Sequence, residues 1–213
     1  MKTIPEQPHM RPKEAELLEQ WLPTGGKVLE FGAGSSTKFF FAKGAGLVAS
    51  VESDVTFLEV LAADPVVGFF HKKERWLPLH ADIGETGFLG YPLEQDKGEL
   101  AFNYYHGIWD GLRAFFHPAG GEAPAADNKI RPDLVLIDGR FRVACFCATL
   151  LHCGLERLPI FIHDFWNRPQ YHCVLDFAEV RGRSDTAVLL LPKERIRWPL
   201  LKSIFEEHMF VPD

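Results

Sequence analysis

The sequence predicts an α/β fold: a doubly wound, mostly parallel sheet with helices on both faces. Segments typical of buried strands alternate with helical segments along most of the chain. The strand segments are continuous apolar runs, as parallel strands covered on both faces are. Acids end four of these runs, at Glu30, Glu52, Asp138 and Asp164. Because an open parallel sheet binds its ligands at the carboxyl ends of strands, these acids predict a site there.

In the first half of the chain, short apolar runs and helical spacing define the elements. Pro78 interrupts the third apolar run, which predicts a strand at an edge of the sheet or with a bulge. Ser53 or Asp54 is expected to cap the helix that follows the second strand. The predicted strands are 27–31, 46–52 and 75–82, and the predicted helices are 11–22, 35–44 and 53–63.

The second half alternates in the same way after an interruption. Residues 83–132 break the rhythm and are predicted as an insertion, with a helix over 98–116 and a loop over 117–132. Insertions on a rigid scaffold often carry substrate contacts. A hairpin over 177–192 has its predicted turn at 182–185. The other predicted elements are strands 133–138 and 158–164 and helices 143–155 and 197–209. We expect all of them to form a single domain, 1–213.

Composition and charge narrow the classes of partner. The chain has 213 residues, of which 46% are apolar and 24% charged, as is normal for a globular protein. The net charge of −6 gives no electrostatic reason to expect nucleic acid or an anionic membrane as a partner. The first residues lack the apolar stretch of a signal peptide. We therefore expect a cytoplasmic protein that acts on a small-molecule acceptor, and for which a homodimer is possible.

The segment 28–40, VLEFGAGSSTKFF, places an acid directly before a glycine turn. Gly32 and Gly34 let the backbone approach a ligand closely, and the following helix directs N–H groups toward it. NAD-type sites use G-x-G-x-x-G, whereas here the third glycine is absent and Glu30 precedes the turn. A carboxylate in that place repels a pyrophosphate and attracts a cation, such as the sulfonium and ammonium of S-adenosylmethionine. Glu52 is placed to accept hydrogen bonds from ribose hydroxyls.

These features resemble the class I S-adenosylmethionine-dependent methyltransferases over most of the chain. The matching motifs are LEFGAGSST (29–37), SVESD (50–54), HADIG (80–84), LVLIDGR (134–140) and FIHDF (161–165). IDGRFR and IHDFWNRPQY are similar to a group of bacterial methyltransferase-like proteins without a settled substrate. The resemblance implies a Rossmann-like sheet of seven strands whose last strands form an antiparallel hairpin.

The resemblance also implies a set of residues for binding S-adenosylmethionine. Glu30 and the loop 32–36 would hold its methionine part, Glu52 its ribose, and Asp82 and Ile83 would flank its adenine. The chain departs from the family at Ser36, where a third glycine is usual. The implied cofactor-binding residues are Glu30, Gly32, Ala33, Gly34, Ser35, Ser36, Thr37, Glu52, Ser53, Asp82, Ile83 and Asp138.

Methyl transfer to a hydroxyl requires a positioned nucleophile and removal of its proton. The candidates for catalysis are Asp138, Arg140, His163 and Asp164. His163 is interpreted either as a general base or as a structural residue that hydrogen-bonds a backbone group at the strand end. Because successive residues in a strand point to opposite sides, only one of His163 and Asp164 is expected to face the cleft. Arg140 would bind a carboxylate or phosphate of the acceptor, or pair with Asp138 or Asp164.

A divalent metal is the other means of activating a hydroxyl. In catechol-type O-methyltransferases, acids after the fourth and fifth strands and an adjacent asparagine hold magnesium. Asp138 and Asp164 match the acids, but Phe165 stands where the asparagine is expected, with Asn167 nearby. Asn167 could substitute, so a divalent metal stays open as the less favoured alternative, and no metal ligand is assigned.

The leading functional hypothesis is therefore an S-adenosylmethionine-dependent methyltransferase that transfers a methyl group to oxygen of a small molecule. An NAD-binding oxidoreductase on the same scaffold is one alternative, against which Glu30 and the missing glycine speak. The other alternative is a non-catalytic nucleoside-binding module, because a fold does not determine a function.

Overall fold

The computed structural model describes residues 4–87, 90–93, 98–117 and 129–212. The strands are β1 Lys27–Phe31, β2 Leu47–Glu52, β3 Trp76–His80, β4 Leu134–Ile137, β5 Ile160–Ile162, β6 Ala178–Ser184 and β7 Ala187–Pro192. The helices are α1 Pro12–Gln20, α2 Ser35–Ala42, α3 Val55–Ala62, α4 Pro65–Lys72, α5 Gly98–Tyr105, α6 Trp109–Phe116, α7 Arg142–His152 and α8 Trp198–His208. A 3-10 helix, Pro169–Asp176, lies between β5 and β6.

Within the described residues, the strands form one seven-stranded sheet in the order β3-β2-β1-β4-β5-β7-β6. Strands β1 to β5 are parallel, and β7 is antiparallel to both β5 and β6. The predicted fold class, a Rossmann-like doubly wound sheet with an antiparallel C-terminal hairpin, is confirmed. The strand order reverses between β1 and β4, so a ligand crevice is expected beside the loops that follow these two strands.

Apolar side chains cover both faces of the sheet, which is why the strands are continuous apolar runs. Leu29 and Val135 pack in one cluster with residues of α5, α6 and α7. Their neighbours Val28 and Leu134 pack in the other cluster with residues of α2 and α4. Burial of each such side chain contributes roughly 2 kcal/mol. The sheet is thus a rigid platform, and its carboxyl edge carries the polar residues.

Pro78 lies in β3, which is an edge strand, as predicted. A proline has no backbone N–H to donate, and at an edge one side of the strand needs no partner. The cap of α3 is Asp54, whose side chain accepts a hydrogen bond from the Phe57 N–H at 3.1 Å.

The helix predicted over 98–116 is wrong in one respect: it is two helices, α5 and α6. The Trp109 indole N–H donates to the Tyr105 carbonyl at 2.8 Å, where a continuous helix would place the backbone N–H of Trp109. Gly107 lies in the break and lowers the helix propensity there. Residues 88–89, 94–97 and 118–128 of the predicted insertion, including most of the loop predicted over 117–132, lie outside the described residues.

Sequence reasoning missed helix α4, which follows α3 directly. Its signal was present, because Asp64 caps the helix and Pro65 occupies the first position, where proline is favoured. The Asp64 carboxylate accepts from the N–H groups of Val66 and Val67 at 2.9 and 3.2 Å, and it also pairs with Lys38 of α2 at 3.1 Å.

The hairpin is confirmed, but its turn lies later than predicted. Ser184 pairs with Ala187, so the turn consists of Asp185 and Thr186, with Asp185 at φ 48°. Gly182 stands at a bulge instead. A Cβ there would lie 2.7 Å from Leu17 Cδ1, so this glycine lets α1 pack closely on β6.

None of the helices in the described ranges has the length and apolar character needed to cross a membrane.

Candidate functional site

The predicted site residues lie at the carboxyl edge of the sheet, where the loops after β1 and β4 touch. Gly32 has φ 96°, and a Cβ on it would lie 2.6 Å from the Gly139 nitrogen. A Cβ on Gly139 would in turn lie 2.9 Å from the Gly32 nitrogen. Gly32 is therefore required by the contact between two backbone loops as well as by its own conformation.

Gly34 differs from Gly32 because nothing in the described chain crowds it. Its backbone is extended, with φ 178°, and a Cβ would find its nearest neighbour, Ser36 Oγ, 4.0 Å away. The absence of a side chain at Gly34 thus leaves open space beside the loop, which is what close approach of a ligand requires.

Glu30 is fully buried beneath the loop. Its carboxylate accepts hydrogen bonds from Ser36 Oγ at 2.7 Å, from Ser50 Oγ at 2.5 Å, and from the Thr37 hydroxyl. Burial raises the pKa of Glu30 to about 7, an effect that the three hydroxyls partly offset. The structure therefore places Glu30 where it holds the start of α2 to β2.

Glu52 joins the end of β2 to the glycine loop. Its Oε2 accepts a hydrogen bond from the Ala33 N–H at 3.1 Å, and its Oε1 accepts from the N–H groups of Ser53 and Asp54 at 2.7 and 3.0 Å. Burial raises the pKa of Glu52, although these hydrogen bonds oppose the rise. The side chain remains half-buried.

The remaining predicted cofactor residues lie around this loop. Ala33 and Ser35 are half-buried, whereas Ser53 is buried. Asp82 is exposed and accepts from the Gly84 N–H at 2.9 Å, while Ile83 is only 3% exposed and packs in the core. A pocket of about 300 Å³ lies beside Asp82, between β3, α5 and α6.

Asp138 and His163, which follow β4 and β5, form a direct pair. His163 Nδ1 lies 2.8 Å from Asp138 Oδ1. The other ring nitrogen, Nε2, lies 3.3 Å from Oε2 of Glu14 on α1. Burial disfavours the charged ring, but the hydrogen bond to Asp138 and the charges of Asp138, Asp164 and Glu14 outweigh it and raise the pKa of His163.

Arg142, the first residue of α7, joins the loop after β4, which carries Asp138, to the loop after β5, which carries His163 and Asp164. Its guanidinium donates to the carbonyls of Gly139 at 2.9 Å and His163 at 2.6 Å. It also lies 3.4 Å from Asp138 Oδ1 and 3.9 Å from Asp164 Oδ2. The ion pair that was considered for Arg140 is made here by Arg142.

Asp164 lies on the same side as His163, so the expectation that the two point to opposite sides is wrong. Strand β5 ends at Ile162, and Asp164 adopts the left-handed conformation at φ 53°, which ends the alternation. His163 Nε2 and Asp164 Oδ1 are 4.0 Å apart. Although burial opposes it, the charges of His163, Arg142 and Arg168 lower the pKa of Asp164.

Arg140 lies next to the cluster of Asp138, His163 and Asp164, and its described contacts are with other residues. Its guanidinium stacks 4.3 Å from the centre of the Tyr91 ring, and Nη1 lies 3.5 Å from the Pro212 carbonyl. The Arg140 N–H approaches the Tyr104 hydroxyl at 3.4 Å. Tyr104, Tyr105 and Trp109 are all at most 4% exposed and pack in the core.

The residues do not form the carboxylate–carboxylate–amide set of a magnesium site. The Arg142 guanidinium bridges Asp138 and Asp164, so a cationic group already neutralises them. Phe165 is fully buried and Asn167 is exposed. Within the described ranges, no group of three or more His, Cys, Asp or Glu side chains has a metal-binding arrangement.

Glu14 is the functional candidate that sequence reasoning missed. It is fully buried, yet it lies on α1, far in sequence from the other acids. Its position four residues before the buried Leu18, on the apolar face of the helix, was the available signal. A charged residue on such a face must find partners in the element against which the helix packs.

Comparison with known proteins supports the fold. No family model and no curated protein matches the chain. A methyltransferase-like protein from Silicibacter pomeroyi is 25% identical, with 97% of this chain and 98% of that chain aligned and a TM-score of 0.71. The C-terminal domain of precorrin-6Y C5,15-methyltransferase from Rhodobacter capsulatus is 12% identical over 92% of this chain and 100% of that chain, with a TM-score of 0.45. The 23S rRNA methyltransferase ErmE is 11% identical over 96% and 76%, with a TM-score of 0.43.

The first of these likenesses confirms the resemblance drawn from the motifs: the chain has the fold of class I, Rossmann-like methyltransferases and is similar to a methyltransferase-like protein. The other two are too distant to bear on the acceptor.

The two glycines of the turn should respond differently to alanine. We expect Gly32→Ala to lower the free energy of unfolding by roughly 2 kcal/mol or more, because it combines a positive φ with a backbone clash. Gly34→Ala should change it by less than about 1 kcal/mol. Urea unfolding of both variants tests this, and equal losses would contradict the difference drawn here.

Glu30 should make stability depend on pH. Because its folded pKa is about 7 against an ordinary 4.5, the unfolded chain releases this proton first as pH rises. The protonated Glu30 therefore contributes fully to the free energy of unfolding below about pH 4.5, and this contribution is lost by about pH 7. The free energy of unfolding should change by about 3 kcal/mol over this range. Glu30→Gln should flatten this slope relative to the wild type in urea unfolding, whereas Glu59→Gln, at an exposed position on α3, should retain it.

Proposed function

We propose that this chain is an S-adenosylmethionine-dependent methyltransferase that acts on a small-molecule acceptor, at an oxygen atom. The observation that carries the proposal is how the glycine loop uses its N–H groups. The Ala33 N–H donates to Glu52, and the Gly34 N–H donates to Thr37 Oγ1 at 3.3 Å. These donors are satisfied within the chain.

This arrangement favours a cationic nucleoside over a dinucleotide. A pyrophosphate site needs free loop N–H groups and the positive end of a helix. Here the N–H groups of Gly32, Ala33 and Gly34 are engaged. Carboxylates stand at or just after the ends of the neighbouring strands β2, β3 and β4, at Glu52, Asp82 and Asp138. Such a site attracts an ammonium and a sulfonium and disfavours a phosphate. The alternative of an NAD-binding oxidoreductase is weaker for this reason.

Glu52 retains the capacity to bind ribose. A carboxylate has about four accepting positions, and Oε2 uses one of them for Ala33. Oε2 can therefore accept a further hydrogen bond from a hydroxyl of a bound ligand. Gly34 leaves open space on the same loop for the methionine part. Glu30, in contrast, supports the loop from beneath.

Asp138 is the group that we assign to the proton of the acceptor. Its Oδ1 is held by His163 and Arg142, whereas Oδ2 has no hydrogen-bond partner among the described residues. The side chain is 24% exposed. A carboxylate held in this way can receive a hydroxyl proton as the oxygen becomes nucleophilic. The bound cofactor would supply the methyl group from its sulfonium.

The other catalytic candidates have supporting roles in this proposal. Both ring nitrogens of His163 face carboxylates, so the ring is better suited to orient Asp138 than to act as a base. Asp164 lies between Arg142 and Arg168 and balances their charge. Arg140, beside Tyr91, is the residue that we assign to the far end of the acceptor. A small acceptor agrees with a net charge of −6, which gives nucleic acid no long-range attraction.

Isothermal titration with S-adenosylmethionine and S-adenosylhomocysteine tests the cofactor directly. We expect both to bind the wild-type protein, and NAD to give no heat and no rise in melting temperature. Stabilisation by NAD without binding of either nucleoside would show that the proposal is wrong. Acceptor screening follows only from a positive result.

Glu52→Gln should weaken binding of S-adenosylhomocysteine by roughly 10- to 100-fold, because a charged acceptor is lost at the ribose. The matched control is Glu59→Gln, an exposed substitution of the same kind on α3, which should bind as the wild type does. Equal affinity of all three proteins would refute the assignment of Glu52.

Gly34→Ala should weaken the same ligand by roughly tenfold without a comparable loss of stability, since the new methyl group enters the open space beside the loop. Isothermal titration and urea unfolding of the same preparation separate the two effects. An unchanged affinity would show that the ligand does not approach this glycine.

A further inference from the structure

The Glu14 carboxylate accepts most of its hydrogen bonds from groups outside α1. Oε1 accepts from the Thr186 N–H at 2.8 Å, from the Thr186 hydroxyl at 2.7 Å and from the Ala187 N–H at 3.1 Å. Oε2 accepts from the Arg11 N–H at 2.9 Å and faces His163. Burial alone would raise the pKa of Glu14, but these donors and the charge of His163 lower it. The residue is a buried carboxylate with a complete set of donors.

His163 lies between this carboxylate and that of Asp138. Its two ring nitrogens lie 2.8 Å from Asp138 Oδ1 and 3.3 Å from Glu14 Oε2. An imidazole can donate to both only when both nitrogens carry hydrogen. Three acidic side chains lie near the ring: Asp138 after β4, Asp164 after β5 and Glu14 on α1. The cation Arg142, on α7, contacts the carbonyl of His163.

The pair of contacts determines which way the ring can turn. If the carboxylate of Glu14 were absent, Nε2 would lose its acceptor and the ring could rotate away from Asp138. With Glu14 in place, Nδ1 stays directed at Asp138 Oδ1, and Oδ2 is left without a hydrogen-bond partner among the described residues. The N-terminal helix is thereby connected to the acid at the switch point of the sheet through one side chain.

We propose that Glu14 is a positioning residue: it holds the His163 ring against Asp138 and so fixes the orientation of the carboxylate that faces the cofactor and acceptor. This inference rests on the proposed function for the role of Asp138. The contact between Glu14 and His163 stands independently of that role.

The first test uses the wild-type protein, so it does not depend on whether a variant folds. The ring nitrogens of His163 are followed by NMR after ¹⁵N labelling, with assignment through His163→Gln. At about pH 7, above the ordinary pKa of a histidine, we expect both nitrogens to be protonated. A neutral ring at that pH would overturn the proposal.

The second test compares Glu14→Gln with Glu16→Gln, which changes an exposed glutamate on the same helix. Glu14→Gln should reduce the proton affinity of His163 roughly tenfold, because one of the three carboxylates near its ring is lost. Glu16→Gln should leave it unchanged. An unaltered titration of His163 in Glu14→Gln would refute the proposal.

The third test asks whether the contact matters for the site. Between about pH 6 and about pH 8, the dissociation constant of S-adenosylhomocysteine should follow the same curve in the wild type and in Glu16→Gln, because both retain every titrating group of the site, Glu30 included. In Glu14→Gln it should rise roughly fivefold above that curve toward the higher pH, because the neutral ring holds Asp138 less strongly.

If the dissociation constant of Glu14→Gln follows that of Glu16→Gln at every pH, Glu14 serves only to attach α1, and the positioning role is wrong. If the wild type binds neither nucleoside, the proposed function fails together with the role of Asp138. The histidine titration would still decide whether Glu14 controls the ring, so the two failures can be told apart.

Discussion

A carboxylate can be buried in a protein only if the surrounding chain supplies donors to it, and this requirement orders the whole carboxyl edge of the sheet. Glu14, Glu30 and Glu52 each satisfy it with a different kind of donor. Glu30 accepts hydrogen bonds from three hydroxyls, and Glu52 accepts from three backbone N–H groups. Glu14 accepts from backbone N–H groups and a hydroxyl, and it faces an imidazole. Each set of donors comes from more than one element, so each acid joins segments that are distant in sequence.

These hydrogen bonds tie the loops at the carboxyl edge to the sheet. The glycine loop is held by Glu30 from beneath and by Glu52 from the side, and its backbone contacts Gly139. The loop after β5 is held by Arg142, whose guanidinium contacts the backbone there and bridges two acids. A binding site gains affinity when its groups are fixed before the ligand arrives, because little ordering is then left to be done on binding.

Charge is balanced within this edge. Acidic and basic side chains alternate in the cluster of Glu14, Asp138, Asp164, His163, Arg142 and Arg168. Removing one member would leave a partner without its counter-charge in a partly buried place, which destabilises the cluster. The proposed chemistry depends on Asp138 of this cluster and on Glu52, which is held separately by backbone N–H groups.

Much of the fold was accessible from local patterns. Strand β1 was predicted with its observed bounds, and the acids at the ends of strands were found because parallel strands end at one edge. The division of 98–116 was missed: Gly107 lowers the helix propensity there, but the break also depends on the contact of the Trp109 indole with a carbonyl. The turn of the hairpin was misplaced because Gly182 serves the packing of Leu17, a contact between elements far apart in sequence.

The sequence by itself determined the order of the strands, the apolar faces and the acids at the carboxyl edge of the sheet, because each of these follows from the spacing of residues that are close along the chain. Only the tertiary structure decided what each acid does. Glu14 is brought to His163 by the packing of α1 on β7, and Arg142 reaches two loops from α7. Such partners are chosen by proximity in space, to which residue spacing along the chain gives no access.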